Sequence, residues 1–321
     1  MREVANKHIV VVGAARSGLA VASLLKRKGA EVFVTDHDSI EDSVKKKLNT
    51  LNIDFEENGH TGKAEGAAFL AISPGVPTEA PLVQKYLNSG KEVFSEIEIA
   101  SWFNESPIVA VTGSNGKTTV TNWLDHTWEK ADRNHITAGN IGYAFSDKVE
   151  QTSENSEALL EVSSFQLDHI DSFHPQISVL LNITADHLDR YDHDFSNYAK
   201  SKFRITENQT GEDWFIYNYD DPTIAGHVDS LKKKADTPRL LPFSINKDLS
   251  ETDGAFVRNQ NIILKINKQE EVLMPTRDVN LSGKHNLSNG LATALAARAS
   301  EIKSDVIRES LRTFRRCGTP P

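Results

Sequence analysis

The stretch from Ile108 to Thr119 (Ile-Val-Ala-Val-Thr-Gly-Ser-Asn-Gly-Lys-Thr-Thr) constrains the fold of this chain more than any other. Its apolar start predicts a buried strand, the glycines at 113 and 116 permit a tight turn, and Lys117 opens a helical pattern of apolar residues. A strand, a phosphate-sized loop and a helix N-terminus favour a bound anion, because backbone N–H groups and the helix dipole point toward it. The lysine could reach the terminal phosphates of a nucleotide, and a threonine hydroxyl could ligate Mg²⁺.

This loop departs from the strict phosphate-binding pattern G-x-x-x-x-G-K-[ST]. The pattern requires glycine at position 111, where the chain has valine, so we interpret the loop as a shortened variant. The alternative is an ordinary Gly-Ser-Asn-Gly turn. The strand before the loop and the Lys-Thr-Thr after it favour nucleotide phosphates instead. The candidate nucleotide-binding residues are Gly113, Ser114, Asn115, Gly116, Lys117, Thr118 and Thr119.

Length, charge and cysteine usage limit the class of protein. A chain of 321 residues predicts two domains, and 38% hydrophobic with 25% charged residues is typical of soluble globular proteins. The net charge of −9 argues against general binding to nucleic acid or an anionic membrane surface. Because the sequence has no apolar run long enough to insert in a membrane and only one cysteine, Cys317, we expect a cytoplasmic protein without an intrachain disulfide.

Residues 8–36 predict a strand, a glycine turn, a helix and a second strand ending at Asp36. The turn runs from Gly13 to Gly18, but a dinucleotide fingerprint would want glycine at position 15, where the chain has alanine. Three interpretations stay open: a substrate nucleotide held with Arg16 and Ser17, a dinucleotide cofactor, or a purely structural turn. A further strand ends in the loop that begins at Ser73, which parallel pairing would place at the same sheet edge.

We place a domain boundary at the polar stretch 104–107, because most of the chemistry follows it. Polar residues follow two more apolar runs, at Glu161 and at the Asp186-His187 pair. In a parallel sheet these strand ends would meet Lys117 at one carboxyl edge, where a Mg²⁺ site needs oxygen ligands. Glu161 alone could equally be a helix cap, and His187 a structural histidine.

Two helical segments carry further candidates. Lys202 falls on the apolar stripe of the helix beginning at Phe195, where a lysine must be paired, neutralised or modified. Asn286 and Asn289, at helical spacing, could offer amides to a base or ribose, although capping alone could explain Asn286. Between these helices, residues 254–275 predict a three-stranded β-meander.

Five motifs in order make the sequence similar to the ATP-dependent Mur ligases. They are Thr112–Thr119, Gly139-Asn-Ile-Gly142, Glu161-Val-Ser-Ser-Phe-Gln-Leu167, Asn182-Ile-Thr-Ala-Asp-His-Leu-Asp-Arg190 and His285-Asn-Leu-Ser-Asn289. The Glu161 motif, the Gly13 turn and Ser73-Pro-Gly75 resemble the group that adds D-glutamate. The resemblance implies an α/β fold: a Rossmann-like parallel-sheet domain for the UDP-substrate over residues 1–104, then a P-loop-type central ATPase domain with a small β-meander over 105–300.

The resemblance also implies roles for residues. Lys117, Lys202 and His187 would be catalytic, and the 113–119 loop with Asn286 and Asn289 would bind ATP. Mg²⁺ ligands would be Thr118, Glu161, His187 and Lys202, the last as its carbamate. Contacts to the UDP-substrate would come from Arg16, Ser17, Gly18, Asp36, Ser73, Asn140 and Ser163. The implied reaction in peptidoglycan precursor synthesis joins D-glutamate to UDP-N-acetylmuramoyl-L-alanine through an acyl phosphate, in an enzyme expected to be a monomer.

The resemblance weakens at the end of the chain. Family members continue for a further domain-sized length, whereas here residues 301–321 resemble only the start of a C-terminal domain and end in Arg-Arg-Cys-Gly-Thr-Pro-Pro. We therefore expect a truncated chain that folds but has little ligase turnover alone. The alternatives are another Mur-type or folylpolyglutamate ligase, a non-catalytic nucleotide-binding module, and an NAD-linked oxidoreductase.

Overall fold

The structure, a computed structural model, describes residues 2–233 and 236–315. Cys317 and the rest of the tail from residue 316 lie outside the described residues. The chain divides into two compact units. Unit 1 consists of residues 1–105, 138–151 and 164–173, and unit 2 of residues 106–137, 152–163 and 174–321. Unit 1 takes two segments from beyond residue 105. The domain bounds drawn from the sequence are continuous ranges, and they stay a prediction.

The first part of the chain alternates strands and helices. Its elements are β1 (His8–Val12), α1 (Arg16–Arg27), β2 (Glu31–Thr35), α2 (Asp42–Thr50), β3 (Asp54–Glu56), β4 (Phe69–Ile72), α3 (Pro81–Asn88), β5 (Glu92–Ser95) and α4 (Glu96–Ser101). The five strands form a parallel sheet in the order β3-β2-β1-β4-β5. Strand β1 is apolar and buried from Ile9 to Val12 and lies in the centre, so the turn after it sits at the middle of the carboxyl edge.

The remaining elements continue the chain. They are β6 (Ile108–Thr112), α5 (Lys117–Lys130), β7 (His135–Gly139), α6 (Phe145–Lys148), β8 (Glu157–Glu161), α7 (Ser164–Leu167), β9 (Ile177–Leu180), α8 (Phe195–Phe203), β10 (Trp214–Asn218), α9 (Pro222–Leu231), β11 (Arg239–Ser244), β12 (Gly254–Arg258), β13 (Asn261–Ile266), β14 (Gln269–Pro275), α10 (Lys284–Ala299) and α11 (Ser304–Thr313). Short helices α6 and α7 fall in the segments that belong to unit 1.

Unit 2 is organised on a nine-stranded mixed sheet in the order β14-β13-β12-β11-β10-β9-β6-β8-β7. Strand β6 pairs in parallel with β8 and β9, whereas β12, β13 and β14 pair antiparallel as the predicted meander. Helices α5 and α10 cover the sheet, and their core includes the fully buried Trp123, Trp128 and Leu295. The predicted α/β fold class, with a parallel-sheet unit before a P-loop-type unit, is confirmed.

The glycine at position 18 shows how closely α1 packs on the end of β1. A Cβ added to Gly18 would lie 1.7 Å from the Gly13 carbonyl oxygen, so no larger residue fits without moving the turn.

Within the described residues, every helix is too short or too polar to cross a bilayer.

Candidate functional site

The loop between β6 and α5 brings two lysines to one carbonyl. Lys117 Nζ, at the first residue of α5, donates to the carbonyl oxygen of Gly113 at 2.9 Å and to that of Ser114 at 3.0 Å. Lys202 of α8 is buried and donates to the same Gly113 oxygen at 3.0 Å, with its Nζ 4.7 Å from the centre of the Tyr198 ring. Two of the three side chains predicted to be catalytic therefore converge on a single loop atom.

Parallel pairing explains why the acidic candidates lie at this loop. Val111 pairs with Glu161 across β6 and β8, so the end of β8 faces the start of the loop. Thr118 Oγ1 donates to Glu161 Oε2 at 2.8 Å, and the Glu161 side chain is buried. Burial lowers the pKa of Lys117, and the charges of Glu161 and Asp186 oppose that effect. Lys117, Glu161 and Asp186 thus share one electrostatic environment.

His187 follows Asp186 in the segment after β9. Its backbone is left-handed, with φ of 49°, and its Nε2 lies 3.6 Å from Asp186 Oδ2, with both side chains about half exposed. Since Thr112 pairs with Leu180, this segment also leaves the sheet at the edge that carries the loop.

A polar network fixes the shape of the loop. Ser114 Oγ donates to the Thr184 carbonyl at 2.9 Å and lies 3.0 Å from Tyr198 Oη. Asn182 closes a ring with Asn115: its Oδ1 accepts from the Asn115 backbone N–H at 2.8 Å and its Nδ2 donates to the Asn115 carbonyl at 2.9 Å. These contacts fix the backbone of the loop at the N-terminus of α5.

A cleft of about 830 Å³ opens beside the loop in unit 2. It is lined by Asn115, Gly116, Thr118, Thr119, Asn122, Asn182, Thr184, Asn218, Asp220, Asp221, Pro222, His285, Ser288, Asn289 and Phe314. Of the two predicted adenosine contacts, Asn289 lines this cleft, whereas Asn286 directs its Nδ2 to the Ser282 carbonyl at 2.7 Å. His285 and Ser288, on the face of α10 that Asn289 shares, were not predicted to contact the nucleotide.

Asn289 also shows why the loop needs glycine. Gly116 has φ of 89°, and a Cβ added to it would lie 2.8 Å from Asn289 Oδ1. The left-handed backbone favours glycine at this position, and any larger residue would also require the Asn289 amide to shift.

The predicted substrate residues of unit 1 cluster at the carboxyl edge of its sheet. Asp36 Oδ2 accepts from the Ala14 N–H at 2.6 Å and Oδ1 accepts from the Asp38 N–H at 3.0 Å, so the carboxylate holds the turn after β1. Ser73 is buried against the same turn, because a Cβ on Gly13 would lie 2.9 Å from Ser73 Cβ. Ser17 is buried at the start of α1.

Arg16 and Asn140 are brought together within unit 1. Arg16 Nη2 donates to the Asn140 carbonyl at 2.8 Å and Nη1 to the Gly142 carbonyl at 2.7 Å. Arg16 was predicted to contact the nucleotide, and its hydrogen bonds to the carbonyls of residues 140 and 142 were not predicted. The last predicted contact, Ser163, is buried in unit 2, two residues after Glu161.

Two buried acids of α4 were missed altogether. Glu98 accepts from the N–H groups of residues 171, 172 and 173, from Ser172 Oγ and from Trp102 Nε1, at 2.5 to 3.1 Å. Glu96 accepts from the Ser146 N–H at 2.6 Å. The signal that could have found them is a pair of acids inside the apolar run Ser-Glu-Ile-Glu-Ile-Ala, where an ionisable side chain must have a partner.

The donor set at the loop fits a nucleotide triphosphate with Mg²⁺. Thr118 and Glu161 offer hard oxygen atoms, which Mg²⁺ prefers, and the ion usually takes only one or two protein carboxylates beside phosphate oxygens. Among residues 2–233 and 236–315 there is no group of three or more histidine, cysteine or acidic side chains that could hold a metal. A site that shares its ion with phosphates is the kind that the Thr118–Glu161 pair can form.

Comparison with known proteins identifies the family. Residues 111–297 match the family model described as Mur ligase middle domain, and residues 8–81 match the MurD N-terminal domain. A UDP-N-acetylmuramoylalanine–D-glutamate ligase of Salinibacter ruber is 45% identical over 97% of this chain and 68% of its own length. A ligase of the same name from Christiangramia forsetii is 43% identical over 96% of the chain and 68% of its own length.

A solved structure has the same fold at lower identity. The UDP-N-acetylmuramate:L-alanyl-gamma-D-glutamyl-meso-diaminopimelate ligase of Neisseria meningitides superimposes with a TM-score of 0.62 at 20% identity, covering 98% of this chain and 100% of that one. Together, the two family matches and the sequence identity to D-glutamate ligases mean that this chain belongs to the Mur ligase family, in the group of UDP-N-acetylmuramoylalanine–D-glutamate ligases.

Proposed function

We propose that the chain serves ATP-dependent ligation of D-glutamate to UDP-N-acetylmuramoyl-L-alanine, with ATP and Mg²⁺ bound in unit 2 and the uridine nucleotide in unit 1. The observation that carries the proposal is the Thr118–Glu161 pair beside Lys117 at the N-terminus of α5. It joins the two oxygen ligands and the cation that a phosphoryl-transfer site needs, and sequence identity of 45% to a ligase of this name supports the substrate assignment.

The residues of unit 2 would bind the phosphates and Mg²⁺ in different ways, according to their charge. The helix N-terminus and loop N–H groups offer hydrogen bonds to phosphate oxygens. Lys117 supplies a cation whose present partners are neutral carbonyls, so a phosphate oxygen is a stronger partner for it. Thr118 and Glu161 would hold Mg²⁺, which screens the phosphates and stabilises charge as it spreads over the transferred phosphoryl group.

Lys202 and His187 are the two further residues proposed to act at the loop. Lys202 Nζ, buried at the Gly113 carbonyl, is close enough to the loop for its carbamate to act as an oxygen ligand there, and His187 leaves the same sheet edge. Both roles stay predictions. In unit 1 the proposed nucleotide contacts are Ser17, Gly18, Asp36 and Ser73, with Asn140 for the rest of the substrate.

Calorimetry on the chain as given tests the proposal. We expect wild type to bind ATP·Mg²⁺ and UDP-N-acetylmuramoyl-L-alanine, and Lys117→Met to lose at least about tenfold in ATP affinity, the loss of one charged hydrogen bond, while its affinity for the UDP-substrate is unchanged. Lys200→Met is the matched control, because it removes an exposed lysine of unit 2. Equal ATP affinity in Lys117→Met and Lys200→Met would refute the assignment of the loop.

The substrate assignment is tested separately. UDP-N-acetylmuramate lacks the alanyl group, so a D-glutamate-adding enzyme should bind it more weakly than UDP-N-acetylmuramoyl-L-alanine. A preference for the shorter compound, or for a dipeptidyl one, would favour another Mur-type ligase. Failure to bind any uridine nucleotide would refute the function of unit 1.

A further inference from the structure

The segment 140–148 of unit 1 runs from the end of β7 through α6, and the side chains of Arg16 and Glu96 hold it at two points. Its first point is the loop 140–142, whose carbonyls at 140 and 142 both accept from Arg16. The second is the start of α6, where the Ser146 N–H donates to Glu96. The Arg16 cation donates to carbonyl oxygens and the Glu96 carboxyl oxygen accepts from an N–H group, so each contact pairs a donor with an acceptor.

Arg16 is suited to its contact by geometry. Its two Nη atoms reach carbonyls two residues apart at 2.7 and 2.8 Å, which uses the planar fork of the guanidinium. Arg16 is also the first residue of α1, directly inside the glycine turn after β1. The side chain therefore connects the proposed nucleotide turn to the loop that carries Asn140.

Glu96 is suited to its contact by burial. It is the first residue of α4, its side chain is fully buried, and its Oε1 accepts from Ser146 at 2.6 Å. Burial removes the hydration of this acid, which costs free energy. Its contribution to the structure is therefore the hydrogen bond by which it fixes a neighbouring segment. The neighbour is α6, a single turn of helix that has no side-chain cap of its own.

We propose that Arg16 and Glu96 are positioning residues that fix segment 140–148, and that Arg16 acts on the substrate through the Asn140 loop instead of contacting the nucleotide phosphates. This inference rests on the proposed function of unit 1. It predicts that Arg16 matters for the part of the substrate beyond the nucleotide.

Two measurements on the whole chain test the inference. The first is hydrogen exchange at the amides of residues 146 and 147, which donate to Glu96 and to the Ala144 carbonyl. The exchange rates measure how firmly segment 140–148 is held, and they need no ligand. Calorimetry compares UDP with UDP-N-acetylmuramoyl-L-alanine. The variants are Arg16→Gln and the conservative Arg16→Lys, which keeps the charge but loses the fork. The matched control is Arg27→Gln, which breaks an ion pair from the same helix to Glu150 of the same unit.

We expect both Arg16 variants to raise the exchange rates about tenfold and to weaken the UDP-muramoyl compound about tenfold, with UDP affinity within about twofold of wild type. Arg27→Gln should change none of these. If the Arg16 variants lose affinity for UDP and for the UDP-muramoyl compound in the same proportion, Arg16 contacts the phosphates directly and the inference is overturned. Exchange rates that are unchanged in the Arg16 variants would overturn it as well. A wild type that binds neither compound refutes the proposed function, and it is distinguished from failure of the positioning role because exchange needs no ligand.

Discussion

Substitution of Glu96 by glutamine should make the protein more stable at alkaline pH. Burial raises the pKa of Glu96 from an ordinary 4.5 to about 7, with the Ser146 N–H and the charge of Arg16 opposing and the charge of Asp147 adding to the effect. The folded state therefore holds this proton more tightly than the unfolded state does. Its contribution to stability is fully present below pH 4.5 and is lost as the pH rises through about 7.

The size of the stability difference follows from the difference between the two pKa values, 4.5 and about 7. Ionising Glu96 in the folded protein costs about 3 kcal/mol relative to the unfolded chain, since each pKa unit corresponds to about 1.4 kcal/mol. Glutamine cannot ionise, and its carbonyl can still accept from the Ser146 N–H. We expect Glu96→Gln to exceed wild type in free energy of unfolding by about 3 kcal/mol at pH 8, and by less than about 1 kcal/mol at pH 5.

Urea denaturation at matched ionic strength between pH 5 and pH 8.5 measures this difference. Glu98→Gln is the control, because the same substitution two residues away replaces a carboxylate that accepts hydrogen bonds from four neighbouring residues. An amide nitrogen cannot accept those bonds, so Glu98→Gln should be destabilising across the whole range. A Glu96→Gln difference that stays constant with pH, or that is negative at pH 8, would refute the reasoning.

Two further substitutions test the loop and its support. Gly116→Ala should destabilise by about 1 to 3 kcal/mol and weaken ATP binding, since φ is 89° and the new Cβ meets Asn289, whereas Gly226→Ala in the open middle of α9 should be neutral or stabilising. Asp221→Ala should cost about 2 kcal/mol in urea, because Asp221 caps α9 and accepts from the Ile183 N–H, and the exposed Asp229→Ala should change stability by less than about 0.5 kcal/mol.

Local sequence patterns were sufficient for the main elements. The apolar run and glycines of residues 108–119 predicted β6, the loop and α5, and parallel pairing then predicted that Glu161 and the segment after β9 lie at the loop. This worked because strand direction and hydrophobic periodicity are properties of short stretches. The three-stranded meander predicted over residues 254–275 corresponds to β12, β13 and β14 for the same reason.

Long-range polar contacts were not predictable in this way. The assignment of residues 138–151 and 164–173 to unit 1 involves Arg16 with the 140–142 carbonyls and Glu98 with the N–H groups of 171–173. Such contacts leave no periodic trace, since a buried acid or a bidentate arginine depends on which backbone groups another segment presents. The orientation of Asn286 toward Ser282 depends likewise on local backbone geometry that spacing on a helix does not specify.

The two glycine turns differ in the charge that they can accept, and this separates the interpretations left open for the first. At the second turn, Lys117 and Lys202 both donate to the Gly113 carbonyl, so two cationic side chains lie at the loop, with Glu161 at the first turn of α5. At the first turn, the Asp36 carboxylate already accepts the Ala14 N–H, and Arg16 is bound to carbonyls. A pyrophosphate lying on that turn would meet the Asp36 charge. The first turn therefore favours an uncharged, hydrogen-bond-donating part of a nucleotide over the pyrophosphate of a dinucleotide cofactor, which agrees with the proposal that the triphosphate binds in unit 2.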